Sequence, residues 1–189
     1  MNKKEVIDQA VEHLKNGSII LCPTDTIWGL SCDATNKVAV QKLLDLKKRD
    51  PNKSFIILLN SDAMINNCIK DMPSVAWDII DLSNEPISLI MDGALFVAEN
   101  AIHKDGSIAF RMIKSGFCFD LLTKFRKPII STSPNFSGEK TPLRLNDINA
   151  EIKAKVAYQI PEEFAGEMSG KPSKILKIKP NGEVTIIRK

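Results

Sequence analysis

Lys127-Pro128-Ile129-Ile130-Ser131-Thr132-Ser133-Pro134-Asn135 is the stretch on which the fold turns. Its apolar start, Lys127 to Ile130, reads as a short buried strand. Ser131, Ser133 and Asn135 then recur at period two, which sets their hydrogen-bonding side chains on one side of an extended exit. Ligands of open α/β sheets collect at such carboxyl ends. In isolation the segment is equally an ordinary Ser/Asn-rich turn held by local side-chain to backbone bonds. A second polar exit follows the strand Ser18-Ile19-Ile20-Leu21, as Cys22-Pro23-Thr24-Asp25-Thr26-Ile27-Trp28-Gly29-Leu30. A third is basic, Lys47-Lys48-Arg49, and closes the apolar run Val40 to Leu46.

That run has the period of a helix, on which residues two apart point about 200° from each other. Lys47 and Arg49 therefore converge only where the helix stops. Pro51 supplies the stop, because the residue before a proline is pushed toward extended geometry; the helix is expected to end near Lys48 and turn Arg49 back toward Lys47. Together with the Ser-x-Asn exit, the two cations describe a two-part pocket for an anion and a nucleotide. The plainer alternative is that basic residues of a last turn offset the helix dipole.

Helical and strand patterns alternate along the chain without a low-complexity linker or an internal repeat. Helices are expected near 3–15, 36–48, 74–82, 116–125 and 146–154. Strands are expected near 18–22, 55–59, 87–91, 107–112, 128–132, 156–160, 174–178 and 183–188. Lys177 to Ile187 reads as strand, Asn181-Gly182 turn, strand, a hairpin pattern. The class is α/β, a single domain with a twisted open mixed sheet flanked by helices. A length of 189 residues suits one domain.

Charge is 26 basic against 23 acidic residues, net +3, too mild to argue for a nucleic-acid footprint by itself. The first helix, with Val6, Ile7, Ala10, Val11 and Leu14 interrupted by Glu5, Asp8 and Glu12, is neither a signal core nor a membrane span. A cytoplasmic protein with no membrane association is expected. Cys22, Cys32, Cys68 and Cys118 form no CxxC pair or zinc spacing and read as reduced thiols. Gly166-Glu167-Met168-Ser169-Gly170-Lys171 imitates a phosphate loop but is one residue short, meets Pro172 where Ser or Thr belongs, and leads to a strand. His13 and His103 have no visible catalytic partner, and no carboxylate cluster supports a dedicated metal site.

PTDTIWGLSCDA, LLDLKKRDPNKSFIILL, IAFRM and PIISTSPNFSG, in this order and spacing, resemble the YrdC-type threonylcarbamoyl-adenylate synthases over essentially the whole chain. The resemblance implies a YrdC-like fold with a concave, positively charged ligand face. It implies an enzyme, a nucleotidyltransferase that condenses L-threonine, bicarbonate and ATP into threonylcarbamoyl-AMP and pyrophosphate. Magnesium comes with the ATP, and the product supplies downstream tRNA-modifying machinery that makes N6-threonylcarbamoyladenosine. Thr26, Arg111, Ser133 and Ser173 match positions that hold the amino acid, with Arg111 as carboxylate clamp. Lys47, Arg49, Lys53, Ser107, Asn135 and, across an alignment gap, Arg188 match the nucleotide side, where Lys47 and Arg49 neutralise developing charge. Trp28 stands where the family has Tyr or Phe, as a pocket wall or as core. Longer relatives add a second domain after a linker, and this sequence reaches Lys189 without one.

The chain departs from the family pattern at Leu58 in place of a histidine, at Asn84-Glu85-Pro86, at Ser115-Gly116 and at Lys174 after Ser173. A relative acting on another amino-acid or carbamoyl substrate stays open. So does a noncatalytic module that contacts RNA with the same basic face, although the few aromatics count against it. A carbamoyl-adenylate enzyme of hydrogenase maturation is disfavoured by the lack of zinc or acylphosphatase segments.

Overall fold

The computed structural model describes residues 1–48 and 55–189. Six helices, α1 (Lys3–Lys15), α2 (Lys37–Lys47), α3 (Asp62–Cys68), α4 (Ser74–Leu82), α5 (Gly116–Phe125) and α6 (Ala150–Lys155), occur among these residues. The strands are β1 (Ile20–Pro23), β2 (Trp28–Asp33), β3 (Ile56–Leu59), β4 (Ile87–Asp92), β5 (Ser107–Met112), β6 (Ile129–Thr132), β7 (Tyr158–Gln159), β8 (Lys174–Ile178) and β9 (Val184–Arg188). They form one mixed sheet in the order β7-β1-β2-β6-β3-β5-β4-β8-β9.

Local chemistry sets the ends of these elements. Asn2 and Glu5 close a reciprocal capping box on α1. Asn36 accepts from Val38 and Ala39 N–H to start α2, which ends at Lys47, with Lys48 left-handed at φ 46°. Helix α1 packs on β1, β2 and α5, and α2 packs on β2, so the helices anchor the first half of the sheet.

Period-two alternation divides the strands into two faces. On one lie Ile57, Phe110 and Ile130, all buried. On the other, Ile56 sits in register between Ala109 of β5 and Ser131 of β6, and Ala109 is opposite Ile90 of β4. Ala109 between two isoleucines leaves a hollow in that face.

Two elements depart from the sequence reading. The segment after Cys22 is not a polar exit but a hairpin, in which β2 pairs antiparallel with β1 and, on its other edge, with β6. Gly29 inside β2 disguised it, since glycine weakens a strand and marks close approach. A Cβ built on Gly29 meets Ser131 Oγ at 2.1 Å. Helix α3 was absent from the expectation because seven residues with two asparagines show little period; Ser61 caps it. The expected helix near 146–154 is α6, begun by Asn149. The C-terminal hairpin is β8–β9, with Gly182 at φ 85° in its turn.

Candidate functional site

A cavity of about 240 Å3 opens over the Ala109 hollow. Its floor is Ile56, Ile90, Ala109 and Ser131; Thr24, Thr26, Ile27 and Trp28 of the β1–β2 turn wall one side, and Pro172, Ser173, Ile175 and Arg188 the other. Phe55, Thr132, Ser133 and Thr141 complete the rim, with Arg111 inside it. The pocket lies on the face of the sheet rather than beyond its carboxyl ends. In a mixed sheet the same spot takes the late part of β5 and β6 and the early part of β3 and β8.

The β1–β2 turn is built by Thr24. Its hydroxyl donates to Ile27 O at 2.7 Å and accepts from the N–H of Thr26 at 3.2 Å and of Ile27 at 3.3 Å, so one side chain fixes the turn. The rejected phosphate-loop imitation supports this turn from outside: Ser169 and Gly170 N–H donate to Asp25 O and Thr26 O. Thr26 Oγ1, 2.9 Å from Thr24 Oγ1, accepts from Arg111 Nη2 at 3.2 Å.

Arg111 is a buried cation, 5 % exposed, and its Nη2 also lies 3.0 Å from Asp25 Oδ1. Its Nε is buried with no acceptor among the described residues. Burial pushes the Asp25 carboxyl up, against the pull of the adjacent Arg111 charge. Across the cavity, Ser173 Oγ bonds Ser88 Oγ at 2.8 Å, while Arg188 donates from Nε and Nη2 to Ser173 O at 3.0 and 2.7 Å. Burial and the Arg111 charge hold the Arg188 guanidinium below its ordinary value.

At the exit of β6 the cation is Lys47, only 2 % exposed. Its ammonium donates to the main-chain carbonyls of Ser133 and Asn135. In return Ser137 Oγ donates to Lys47 O at 3.0 Å. Asn135 donates from Nδ2 to Phe136 O and Glu139 O, at 2.9 and 2.8 Å, and its buried Oδ1 has no donor among the described residues.

Thr26, Arg111, Ser133, Ser173 and Arg188 thus converge on the cavity, and Lys47 and Asn135 brace its edge from outside the lining. Ser107 is not among the lining residues. It shares a strand face with Ala109 and Arg111, but at the far end of β5, where its hydroxyl donates to Asp105 at 2.6 Å. Arg49 and Lys53 lie outside the described residues. Trp28 is both core and wall, 1 % exposed and lining the cavity. His13 stacks on Tyr158 and His103 pairs with Asp105, so neither reaches the site. Asp25, Thr141 and the isoleucine floor were not assigned from sequence. Asp25 stood inside the quoted Thr-Asp-Thr motif, whereas Ile56 and Ile90 are found only through cross-strand register.

Among the described residues no group of three or more His, Cys, Asp or Glu is placed to hold a metal ion. The four cysteines are buried and unbridged. No helix among the described residues is long and apolar enough to cross a membrane.

Residues 12–189 match the family model of the Sua5, YciO and YrdC proteins, described as telomere recombination. The chain is 29 % identical over 187 residues to a threonylcarbamoyl-AMP synthase of Pseudoalteromonas translucida, covering 97 % of this chain and 98 % of that protein. Its fold matches P. abyssi Sua5 complexed with L-threonine, with a TM-score of 0.85 at 21 % identity over 94 % of this chain. The chain spans about half of that protein, 52 % of its length. E. coli YciO matches with a TM-score of 0.84 at 19 % identity, over 100 % of this chain and 90 % of that one.

Proposed function

The chain belongs to the Sua5/YciO/YrdC family, and we propose that it is an L-threonylcarbamoyladenylate synthase, forming threonylcarbamoyl-AMP and pyrophosphate from L-threonine, bicarbonate and ATP. The observation that carries this reading is Arg111, a buried guanidinium fixed at one end of a hydroxyl-rimmed cavity with its Nε lacking an acceptor among the described residues. A free amino acid needs such a cation for its carboxylate, and arginine offers a planar fork that never deprotonates.

Arg111 and Thr26 take the threonine carboxylate, and Ser133 and Ser173 its polar atoms. Arg188, Asn135, Arg49 and Lys53 form the nucleotide side, without Ser107, whose hydroxyl is held by Asp105 away from the cavity; Asn135 Oδ1, with no donor among the described residues, suits an N–H or O–H of the nucleoside. Lys47 contributes by holding the Ser133–Asn135 exit in place as well as by its charge. The threonine amine condenses with bicarbonate to a carbamate with loss of water, and the carbamate oxygen attacks the α-phosphorus of ATP while pyrophosphate leaves. No side-chain nucleophile is required. The protein aligns the three groups and neutralises the charge that develops. The wall offers hydroxyls and guanidiniums, so magnesium belongs to the substrate Mg-ATP, held by phosphates and water. The acyl-adenylate is then consumed by threonylcarbamoyl transfer to tRNA.

Pyrophosphate release from the purified protein, with each substrate omitted in turn, tests the proposal. Release is expected only when L-threonine, bicarbonate and Mg-ATP are all present. Release indifferent to both threonine and bicarbonate would sink it.

A further inference from the structure

Two guanidiniums, Arg111 from β5 and Arg188 from β9, line one cavity. Like charges repel, and the Arg188 guanidinium is held below its ordinary value first by burial and then by the Arg111 charge. Something must keep the two apart if each is to take a different anion. Asp25 is placed to do so. Its Oδ1 is 3.0 Å from Arg111 Nη2, and it sits on the turn already fixed by Thr24 and by the Ser169 and Gly170 N–H groups.

Its carboxylate does not enter the cavity. Asp25 lines a separate cleft of about 160 Å3 with Lys114 and Ser115, and Arg111 is not among that cleft's lining. It therefore pairs with the guanidinium without competing for ligand space. We propose that Asp25 is a positioning residue, drawing Arg111 toward the β1–β2 turn and away from Arg188 so that the cavity presents two separate anion points. The inference rests on the assignment of Arg111 to the amino-acid carboxylate. Burial pushes the Asp25 carboxyl up against the pull of Arg111, so a carboxylate here costs stability, which fits a group kept for function.

The test compares Asp25→Ala, Asp25→Asn and Asp25→Glu in the full chain, with L-threonine and ATP titrated separately. In Asp25→Ala the threonine KM is expected to rise on the order of ten- to a hundredfold, the scale of lost orientation, while the ATP KM stays near wild type. Asp25→Asn keeps an acceptor without the charge and falls between; Asp25→Glu restores the charge and recovers part of the loss. A readout independent of any ligand is the Arg111 Nε–H resonance, assigned by its disappearance in Arg111→Lys, which shifts and broadens in Asp25→Ala. A wild-type threonine KM in folded Asp25→Ala, or an unmoved resonance, overturns the proposal. If wild type binds no threonine while the resonance still depends on Asp25, the synthase reading fails and the positioning role stands.

Discussion

The two ends of the cavity are wired differently. At the Arg111 end, side chains contact side chains: Arg111 pairs with Asp25 and donates to Thr26, Thr26 bonds Thr24 within the turn, and, on the opposite wall, Ser88 bonds Ser173. At the β6 exit a buried ammonium holds main-chain carbonyls, and the amide of Asn135 does the same for Phe136 and Glu139. The first arrangement fixes individual charges, so a substitution there changes one ligand contact at a time. The second fixes a loop, and every group the loop presents changes together.

The largest effect is expected from Arg111→Ala, which removes charge and fork and weakens threonine binding by on the order of 2–5 kcal/mol, as for truncated buried charge pairs. ATP affinity changes much less. Arg111→Lys keeps the charge and loses the two-bond geometry, so it falls between. Titrations of both ligands with a thermal melt check this; a merely structural arginine lowers the melting temperature and leaves threonine affinity intact.

Lys47→Met cuts the ties to Ser133 O and Asn135 O and is expected to weaken both ligands in parallel by about 1.5–3 kcal/mol, the range of hydrogen bonds to charged groups. Loss of ATP affinity alone would erase the contrast between the ends. Gly29→Ala drives a Cβ into Ser131 Oγ beneath the floor that both ends share, at about 1–3 kcal/mol of stability. Ser131→Ala in the same chain removes the clash and leaves ordinary contacts at 3.5 Å to the Cβ of residue 131 and 3.6 Å to Thr24 Cγ2. The double variant should recover most of the denaturation midpoint, and no recovery would mean that the clash lies elsewhere.

The smallest effect is a pair of opposite pH dependences at the two ends of β5. Asp25 is raised by burial, so its contribution is present below the ordinary carboxylate range and lost as pH rises through its own pKa. Asp25→Asn should therefore melt higher relative to wild type at pH 7 than at pH 4. Asp105 is lowered well below that range, first by the Ser107 hydroxyl, then by the Ser107 N–H and His103. Its contribution is present above the ordinary value and lost as pH falls, so Asp105→Asn should melt lower relative to wild type at pH 7 than at pH 3. Asp105 is half exposed, so solvent screening keeps this difference small.

Helices α1, α4 and α5 and strand β5 were legible to the residue, because each is a periodic run with its own start and stop. Strand β2 was not, since its identity depends on Ser131 filling the space above Gly29 from a strand about a hundred residues away. The site divides along the same line. Ser131 and Ser133 at the exit of β6, or Ala109 and Arg111 within β5, follow from period two along one extended segment. That Ile56 lies between Ala109 and Ser131, or that Lys47 reaches the carbonyl of Asn135, follows only from sheet order. Ser107 shows the limit of the motif argument: it shares a face with Arg111, yet four residues of strand carry it past the cavity rim.

Strand order also sets when the cavity comes into being during synthesis. Thr24 and Thr26 emerge early, Arg111 midway, and Ser173 and Arg188 only with the β8–β9 hairpin. A nascent chain that has released everything through β6 owns the floor and the Arg111 end but lacks the wall of Pro172, Ser173, Ile175 and Arg188. Because a ligand stabilises only the state that binds it, neither substrate can protect such a chain from proteolysis, whatever its concentration. Protection by ligand should switch on as the β8–β9 hairpin docks, which makes substrate occupancy a quality check on chains that carry the hairpin rather than an aid to folding before it.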